Sequence, residues 1–547
     1  MALLQGNMIN RLGYLWSKYM FLGAEKATTP EGETLCLFDL AAPANLAERL
    51  RPAMFLVVLG MLMFLFLMPL FNAPFERDQG AYATVARGWM AGSMPYRDLW
   101  DNKGPLLFLW YVVSFSLLGQ NQVAPRIAAA VAAGLSVPFL WAATRSLFGR
   151  FEAAVAAIIF ALSFSNLYLQ VTANSEVFML LPLNMGLWAF ATGVRKNRTL
   201  WFLLSGIFTT FAVFTRQSAI LAFLGYTAWL TMICLQTRGK RSNQIRALGA
   251  LISGGVLGAM PFVIYFALHH ALYDLWYAMF SFNAGWVAGQ SFWLKFVPPF
   301  FIEPGPLAGG LVFWIAAGVG CWELWKRKDS SSCFVLFFLA ASEIAAQTMG
   351  KGSAHYSIQL LPGAAIAAVF GFPPMLRCWK RGGHTLKAML GFAGTITFVA
   401  LLFAYAKPTA ESRFIVQYTF RDYAQDAIDA PAIAKAVAEK SATGECVYEW
   451  GRSSQIYFLA DRQPCSRWFY DRSYGSNLSV ISEVVTDLQR RKPGIILVTS
   501  ETPPPPELSA LINEGYRYVG QVNYAKLYQP LRDGLTIDHS GRGHLSE

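Results

Sequence analysis

About eleven apolar runs of roughly membrane-spanning length constrain this chain more than any other feature of its sequence. An α-helix needs about 17–25 apolar residues to cross the hydrocarbon core of a bilayer, and a chain in lipid must satisfy its backbone hydrogen bonds internally. The pattern therefore predicts an all-α polytopic membrane domain. The runs lie at 53–71, 126–144, 152–171, 177–194, 200–214, 219–236, 247–268, 309–326, 333–348, 356–376 and 387–405.

The charge content favours the bilayer as a partner of this chain. Only 14% of the 547 residues are charged and 55% are hydrophobic, whereas a soluble domain carries about 25% charged residues. The net charge of +12 would also suit a nucleic-acid-binding protein. However, the basic residues fall in short clusters between the apolar runs, which is typical of the positive-inside pattern. We therefore expect no nucleic-acid partner.

A further apolar run, Pro105–Leu118, has about 14 residues, which is short for a span and suits a re-entrant or interfacial helix. When this run is not counted as a span, every basic cluster lies on the same side of the membrane as the N-terminus. The positive-inside rule then places the N-terminus in the cytoplasm and the C-terminus outside. The clusters are Arg145 and Arg150; Arg195, Lys196 and Arg198; Arg238, Lys240, Arg241 and Arg246; Lys326, Arg327 and Lys328; and Arg377, Lys380 and Arg381.

This threading divides the chain into three parts. They are a cytoplasmic N-terminal segment at 1–52, a membrane domain at 53–407 and an extracytoplasmic domain at 408–547. Several loops would share the outer face of the membrane with the last of these parts. Those loops are 72–125, 172–176, 215–218, 269–308 and 349–355.

The C-terminal domain contains two of the seven cysteines, Cys446 and Cys465. If the domain is extracytoplasmic, these two can form a disulfide, because disulfides persist in oxidising compartments. The local patterns predict a small α/β domain. Its expected elements are helices at 422–441 and 476–491 and strands at 446–450, 495–499 and 523–528.

The first outer loop, 72–125, holds the densest group of polar residues. Tyr82 and Trp89 follow helical spacing, which makes Gln79–Met90 an amphipathic helix able to lie at the membrane surface. Carboxylates and cations flank this helix at the depth of the lipid headgroups, next to the short apolar run Pro105–Leu118. A lipid-linked phosphate would lie at the same depth.

Such a phosphate can be the leaving group when a sugar moves to a hydroxyl acceptor. One carboxylate must take the acceptor proton as the new bond forms, and one or two Lys or Arg side chains must hold the departing phosphate. The departing group is already an anion and needs no general acid. The displacement is expected to invert the anomeric centre.

Residues 76–111 resemble the first outer loop of the GT-C glycosyltransferases, in particular the bacterial protein O-mannosyltransferase-like and lipid A aminoarabinose transferase-like enzymes. The resemblance extends to Ala173–Glu176, to His355 and Tyr356, and to Tyr448–Gly451 in the C-terminal domain. It implies a membrane glycosyltransferase that uses a polyprenyl-phosphate-linked sugar. The enzyme would transfer a monosaccharide to a glycan, lipid or protein acceptor at the outer face of a bacterial cytoplasmic (inner) membrane.

By this resemblance Asp78 is the catalytic base, Lys103 is a ligand of the donor phosphate, and Glu176 is a second catalytic acidic residue facing the same cavity. Asp78 can instead cap its helix, and Lys103 can instead reach lipid headgroups. Two positions depart from the family pattern. Gln79 replaces the second acid of the usual pair, so we favour no metal and no cofactor. Gly104 replaces the first of two prolines, which predicts a looser turn.

Other polar residues of the outer segments have two interpretations. Arg97 is a second candidate phosphate ligand and Asp98 and Asp101 are candidate substrate contacts. The same three residues can equally form mutual ion pairs in a solvated loop. Arg216 is a lone cation in an outer turn, and it is either a phosphate ligand or an interfacial anchor.

The segment before the tenth apolar run supplies the last candidates. Lys351, His355 and Tyr356 lie at the outer start of that run and are candidate substrate contacts. A hydrogen-bonded structural role is the alternative for His355. Tyr82, on the amphipathic helix, is a further candidate substrate contact.

Two other functions fit parts of the pattern. A polymerase or ligase that uses a diphosphate-linked oligosaccharide would favour a divalent metal between acidic ligands, and Gln79 weighs against it. A transporter or flippase for lipid-linked sugars would carry charges mid-span and broken helices in matched halves. Here the charged residues of interest lie in loops.

Overall fold

The computed structural model of the protein is largely helical. It describes residues 46–167, 173–236, 241–288, 305–348, 354–381, 424–470 and 478–531. The helices of the membrane part are α1 (Leu46–Leu67), α2 (Arg77–Met90), α3 (Pro105–Leu118), α4 (Val123–Leu147), α5 (Arg150–Leu167), α6 (Ser175–Lys196), α7 (Thr199–Thr215), α8 (Ile220–Gln236), α9 (Arg241–Leu268), α10 (Leu272–Trp276), α11 (Phe282–Ala288), α12 (Gly305–Arg327), α13 (Ser330–Thr348) and α14 (Leu361–Arg381).

Within the described ranges, six helical segments are long and apolar enough to cross a membrane, so the chain is a multi-pass membrane protein. The predicted total of about eleven spans stays a prediction, and the last predicted run, 387–405, lies outside the described residues. The domain boundaries, and the side of the membrane on which each terminus lies, also stay predictions. The six segments are Val123–Leu147, Ser175–Lys196, Gln217–Gln236, Arg241–Leu268, Ser330–Gln347 and His355–Met375.

The core of the bundle is aromatic where α6, α8 and α13 meet. The ring of Phe190 stacks on Tyr226 at 4.5 Å and on Phe334 at 4.8 Å. Large buried rings contribute strongly to packing energy and prefer such offset or tilted pairs. This packing holds α6 firmly, and α6 carries Glu176 in its first turn.

The loops predicted to share one face do meet at one end of the bundle. The side-chain amide of Gln217 donates to the carbonyl of Asn102 over 2.6 Å, and Asn102 also donates to Asn283 over 3.2 Å. Ser218 donates to Gln359 over 2.8 Å. Asn102, Gln217 and Asn283 lie in three of the segments that were predicted to share one face, and these contacts confirm that the three meet.

The C-terminal residues form a four-stranded sheet with strand order β1-β2-β4-β3. Strand β2 pairs in parallel with β1 and antiparallel with β4, and β4 pairs antiparallel with β3. Cys446 and Cys465 form a disulfide beside β1. The elements are α15 (Ala424–Lys440), β1 (Val447–Trp450), α16 (Gln455–Leu459), α17 (Leu478–Arg491), β2 (Ile495–Val498), α18 (Pro506–Gly515), β3 (Tyr516–Val522) and β4 (Ala525–Pro530).

The C-terminal domain packs directly on α2. The guanidinium of Arg87 donates to the carbonyls of Tyr457 and Arg462 over 2.9 and 3.0 Å and pairs with Asp461 over 2.8 Å. Arg87 thereby satisfies carbonyls at the C-terminal end of α16, where a cation is favourable. The face of α2 opposite the bundle is therefore covered by protein.

Gly80 permits this packing, and its replacement should break it. A methyl group on Gly80 would lie 2.2 Å from the Cα atom of Gln455, a backbone atom that cannot move aside alone. We expect Gly80→Ala to destabilise the docked domain by about 2 kcal/mol or more, as overpacking does. Limited proteolysis of the C-terminal domain and thermal unfolding would measure the effect.

Gly249→Ala is the matched control, because a methyl group on this α9 glycine would meet nothing within 4 Å. Equal protease resistance in both variants would mean that α2 and α16 are not in tight contact.

Candidate active site

Asp78 lies in the first turn of α2, at the bundle end where the loops meet. Glu76 caps the N-terminus of that helix, because its carboxylate accepts the Gln79 N–H over 3.3 Å. The capping role considered for Asp78 therefore belongs to Glu76. Asp78 itself is only partly buried.

Lys103 lies in the loop between α2 and α3, and its backbone is held on both sides. Its N–H donates to the carboxylate of Asp101 over 2.9 Å, and its carbonyl accepts the hydroxyl of Tyr96 over 2.7 Å. Tyr96 is fully buried with φ of 71°, a strained conformation for a residue with a side chain. The position of Lys103 is thus set by buried neighbours.

The residue after Lys103 allows α3 to approach the bundle closely. A methyl group on Gly104 would lie 1.9 Å from the carbonyl oxygen of Phe214, at the end of α7. Gly104 is extended with φ of −72°, and Pro105 follows as the first residue of α3. The prediction of a looser turn at Gly104 stays a prediction, and the structure adds that the missing side chain permits a tight contact there.

The charges in this loop influence each other. Burial lowers the pKa of Lys103, and the Asp101 and Asp78 carboxylates oppose that shift. Burial raises the pKa of Asp101, and Lys103 opposes that shift. Arg216 and Glu176 also act on Lys103, so the five groups form one electrostatic cluster.

Glu176, in the same cluster, is surrounded by the side chains of Arg216, His355 and Tyr356. The carboxylate pairs with the guanidinium of Arg216, and both side chains are more than nine-tenths buried. The imidazole Nε2 of His355 lies 3.6 Å from the same carboxylate, and the Tyr356 ring lies 4.8 Å from the guanidinium carbon. Buried charges need such partners, so Glu176 and Arg216 act as a pair.

Of the other predicted residues, Arg97 and Asp98 lie apart from this cluster, and Tyr82 is buried next to it. Arg97 and Asp98 form a half-exposed ion pair with each other, with Nε 2.9 Å from Oδ1, which agrees with the ion-pair interpretation. Tyr82 is 2% exposed, and its ring packs on Tyr111 between α2 and α3. Lys351 lies outside the described residues, and its role stays a prediction.

Arg126 is a structural residue of this site that the sequence analysis missed. It is 1% exposed in the first turn of α4 and donates to the carbonyls of Phe71, Ala73 and Pro74. It also donates to the amide oxygen of Gln79 over 3.1 Å. The signal in the sequence was a lone cation at the outer start of an apolar run. Gln79, at the position of the missing acid, thus helps to hold the loop before Asp78.

The described residues contain no group of three or more His, Cys, Asp or Glu side chains that could hold a metal ion. The described residues at this end of the bundle include the carboxylates of Asp78 and Asp101, the ammonium group of Lys103 and the buried ion pair of Glu176 and Arg216.

Comparison with known proteins shows which family and which fold this chain resembles. Residues 102–286 match the family model of dolichyl-phosphate-mannose-protein mannosyltransferase. The fold is similar to that of ArnT from Cupriavidus metallidurans in the apo state, with a TM-score of 0.57 and 13% sequence identity over 88% of this chain and 98% of that chain. No curated protein sequence matches the chain.

ArnT from the same organism bound to undecaprenyl phosphate is similar with a TM-score of 0.52 at 13% identity, over the same shares of the two chains. At this identity the likeness shows the fold. The resemblance to the GT-C superfamily of membrane glycosyltransferases is thereby confirmed.

Proposed function

We propose that this protein is a glycosyltransferase that moves a monosaccharide from a polyprenyl-phosphate donor to a hydroxyl acceptor at the outer face of a bacterial cytoplasmic membrane. The observation that carries the proposal is the placement of Asp78 and Lys103 in one electrostatic cluster. The cluster lies beside α3, whose 14 residues are fewer than the about 20 that a transmembrane helix needs. The GT-C fold and the family match at 102–286 support it.

Asp78 is the carboxylate best suited to act as the base. Asp101 is 1% exposed and accepts hydrogen bonds on both oxygens. Glu176 is 3% exposed and is paired with Arg216. Asp78 is more exposed than either, so an acceptor hydroxyl can reach it.

Lys103 is the cation best suited to hold the donor phosphate. Its ammonium group donates to the neutral amide oxygen of Asn102 over 2.9 Å, and it makes no ion pair with a carboxylate in the described part of the chain. Arg216 is already neutralised by Glu176. A phosphate would replace Asn102 as the partner of Lys103 and gain a charge-assisted contact.

In the proposed reaction, the acceptor oxygen attacks the anomeric carbon and the bond from that carbon to the phosphate oxygen breaks. The carboxylate of Asp78 takes the acceptor proton as the new bond forms. Lys103 stabilises the phosphate that leaves with the polyprenyl chain. Because attack and departure occur on opposite faces, the anomeric centre inverts.

The proposal is tested by identifying the donor and then watching its consumption. Mass spectrometry of lipids from a deletion strain should show accumulation of one polyprenyl-monophosphate sugar. The purified protein should consume that lipid and release polyprenyl monophosphate. Release of a diphosphate carrier, or movement of the intact lipid across a membrane without bond cleavage, would contradict the proposal.

Lys103→Ala should mainly weaken use of the donor. Removing the ammonium group removes the charge that holds the phosphate, so we expect the donor KM to rise about tenfold or more, as for loss of a hydrogen bond to a charged group. Kinetics at varied donor concentration would measure it. Lys435→Ala, at an exposed lysine of α15, is the control, and donor saturation unchanged by Lys103→Ala would exclude Lys103 as a phosphate ligand.

A further inference from the structure

The C-terminal domain contacts the loop that carries Lys103 through the segment 466–470. The backbone N–H of Trp100 donates to the carbonyl of Arg467 over 3.0 Å, and the Trp100 ring lies 5.0 Å from the Trp468 ring. Both tryptophans are almost fully buried. The loop and the domain therefore share one core at this point.

Asp101 connects this interface to Lys103. One carboxylate oxygen accepts the Lys103 N–H over 2.9 Å, and the other accepts the hydroxyl of Tyr470 over 3.0 Å. Asp101 is 1% exposed and Tyr470 is 7% exposed. Water cannot replace either donor freely at such burial, so the orientation of the carboxylate depends on both.

We propose that Tyr470 is a positioning residue for the donor phosphate: its hydroxyl orients Asp101, Asp101 holds the backbone of Lys103, and the docked C-terminal domain thereby sets the affinity for the polyprenyl-phosphate donor. This inference rests on the proposed function, in which Lys103 holds that phosphate.

The geometry gives Tyr470 a different role from that of Tyr96. Tyr96 holds the carbonyl of Lys103 from within the same loop. Tyr470 acts from a separate domain, 369 positions away in sequence. Loss of its hydroxyl would leave a buried carboxylate oxygen without its donor, which carries a penalty for a charged group. The Asp101 carboxylate would then rotate. The backbone of Lys103, which is bound to that carboxylate, would shift with it and move the ammonium group away from the donor phosphate.

The protonation of Asp101 gives an independent readout. Burial raises the pKa of this carboxyl, and the hydrogen bonds from the Lys103 backbone and the Tyr470 hydroxyl oppose the rise. Without the Tyr470 hydroxyl the pKa rises further, so Asp101 takes up its proton at a higher pH. Among the described residues, the titratable groups that interact with Asp101 through charge or a hydrogen bond are Asp78, Tyr82, Tyr96, Lys103, Tyr111 and Tyr470.

The test is Tyr470→Phe in the full-length protein, which removes only the hydroxyl. We expect the donor KM to rise about three- to tenfold with kcat nearly unchanged, and the acid limb of kcat/KM for the donor to move to higher pH. Tyr524→Phe is the matched control, because its hydroxyl contacts Ser453 within the C-terminal domain over 3.0 Å. It should change neither quantity.

A double-mutant cycle separates positioning from general stability. In an Asp101→Asn background the effect of Tyr470→Phe on donor KM should largely disappear, because both variants break one coupled contact. If Tyr470→Phe leaves the donor KM and the acid limb unchanged, the inference is overturned while the proposed function stands. If the wild-type protein neither binds undecaprenyl phosphate nor transfers a sugar, the proposed function itself fails.

Discussion

Asp78→Asn should lower the rate of glycosyl transfer by about 10²–10⁴-fold, which is the usual contribution of a positioned general base. The amide has nearly the same size and cannot take the acceptor proton. The start of α2 should survive, because Glu76 rather than Asp78 supplies the helix cap. The variant therefore tests chemistry with little change in structure. The measurement is the turnover rate at saturating donor and acceptor.

The donor must be saturating when the Asp78→Asn variant is measured, because Asp78 also acts on Lys103. Its carboxylate supports the charged form of that lysine, so its loss can weaken donor binding as well as catalysis. Glu439→Gln is a matched carboxylate-to-amide control on the exposed face of α15, where Glu439 pairs with Lys435 at 3.9 Å. Turnover of Asp78→Asn within a few-fold of that control would assign the base to another residue.

Arg126→Met should cause the largest loss of stability. The side chain is 1% exposed and donates to three backbone carbonyls and to Gln79. Each buried acceptor left without a donor costs about 1–3 kcal/mol, so we expect a loss of about 3 kcal/mol or more. Thermal unfolding of the purified protein would measure it. Arg126→Lys should recover only part of the loss, because one ammonium group cannot reach all of these acceptors.

Arg145→Met provides the control for this prediction. Arg145 lies at the other end of the same helix, is partly exposed, and packs over Trp141 with 5.1 Å from the guanidinium carbon to the ring centre. Its loss should be small. Similar melting temperatures for Arg126→Met and Arg145→Met would show that Arg126 does not hold the loop before α2.

The helix positions could be predicted from the sequence because hydropathy and helix-ending residues are local signals. The short run Pro105–Leu118 is the clearest case, and the observed helix has the same bounds. Pro105 fits the first turn of a helix, and Gly119, with φ of 84°, ends it. The prediction that several loops meet at one end of the bundle followed from the alternation of apolar runs and loops along the chain.

The contacts that complete the site could not be predicted in this way. The pair of Asp101 and Tyr470 joins residues 369 positions apart, and no local pattern encodes such a partner. The close contact at Gly104 was not predicted for the same reason, because its neighbour Phe214 belongs to a distant helix. Strand β3 was missed because it lies at the edge of the sheet and is half exposed, so its apolar alternation is weak.

The packing of α16 against Gly80 has a consequence for engineering this protein. A C-terminal domain taken from another protein of this fold would meet α2 at a surface where Gly80 leaves no room for even one extra carbon atom. Hybrid proteins made by exchanging that domain alone should therefore assemble poorly. Exchanging the domain together with residues 76–104 would keep the two matched surfaces in one piece.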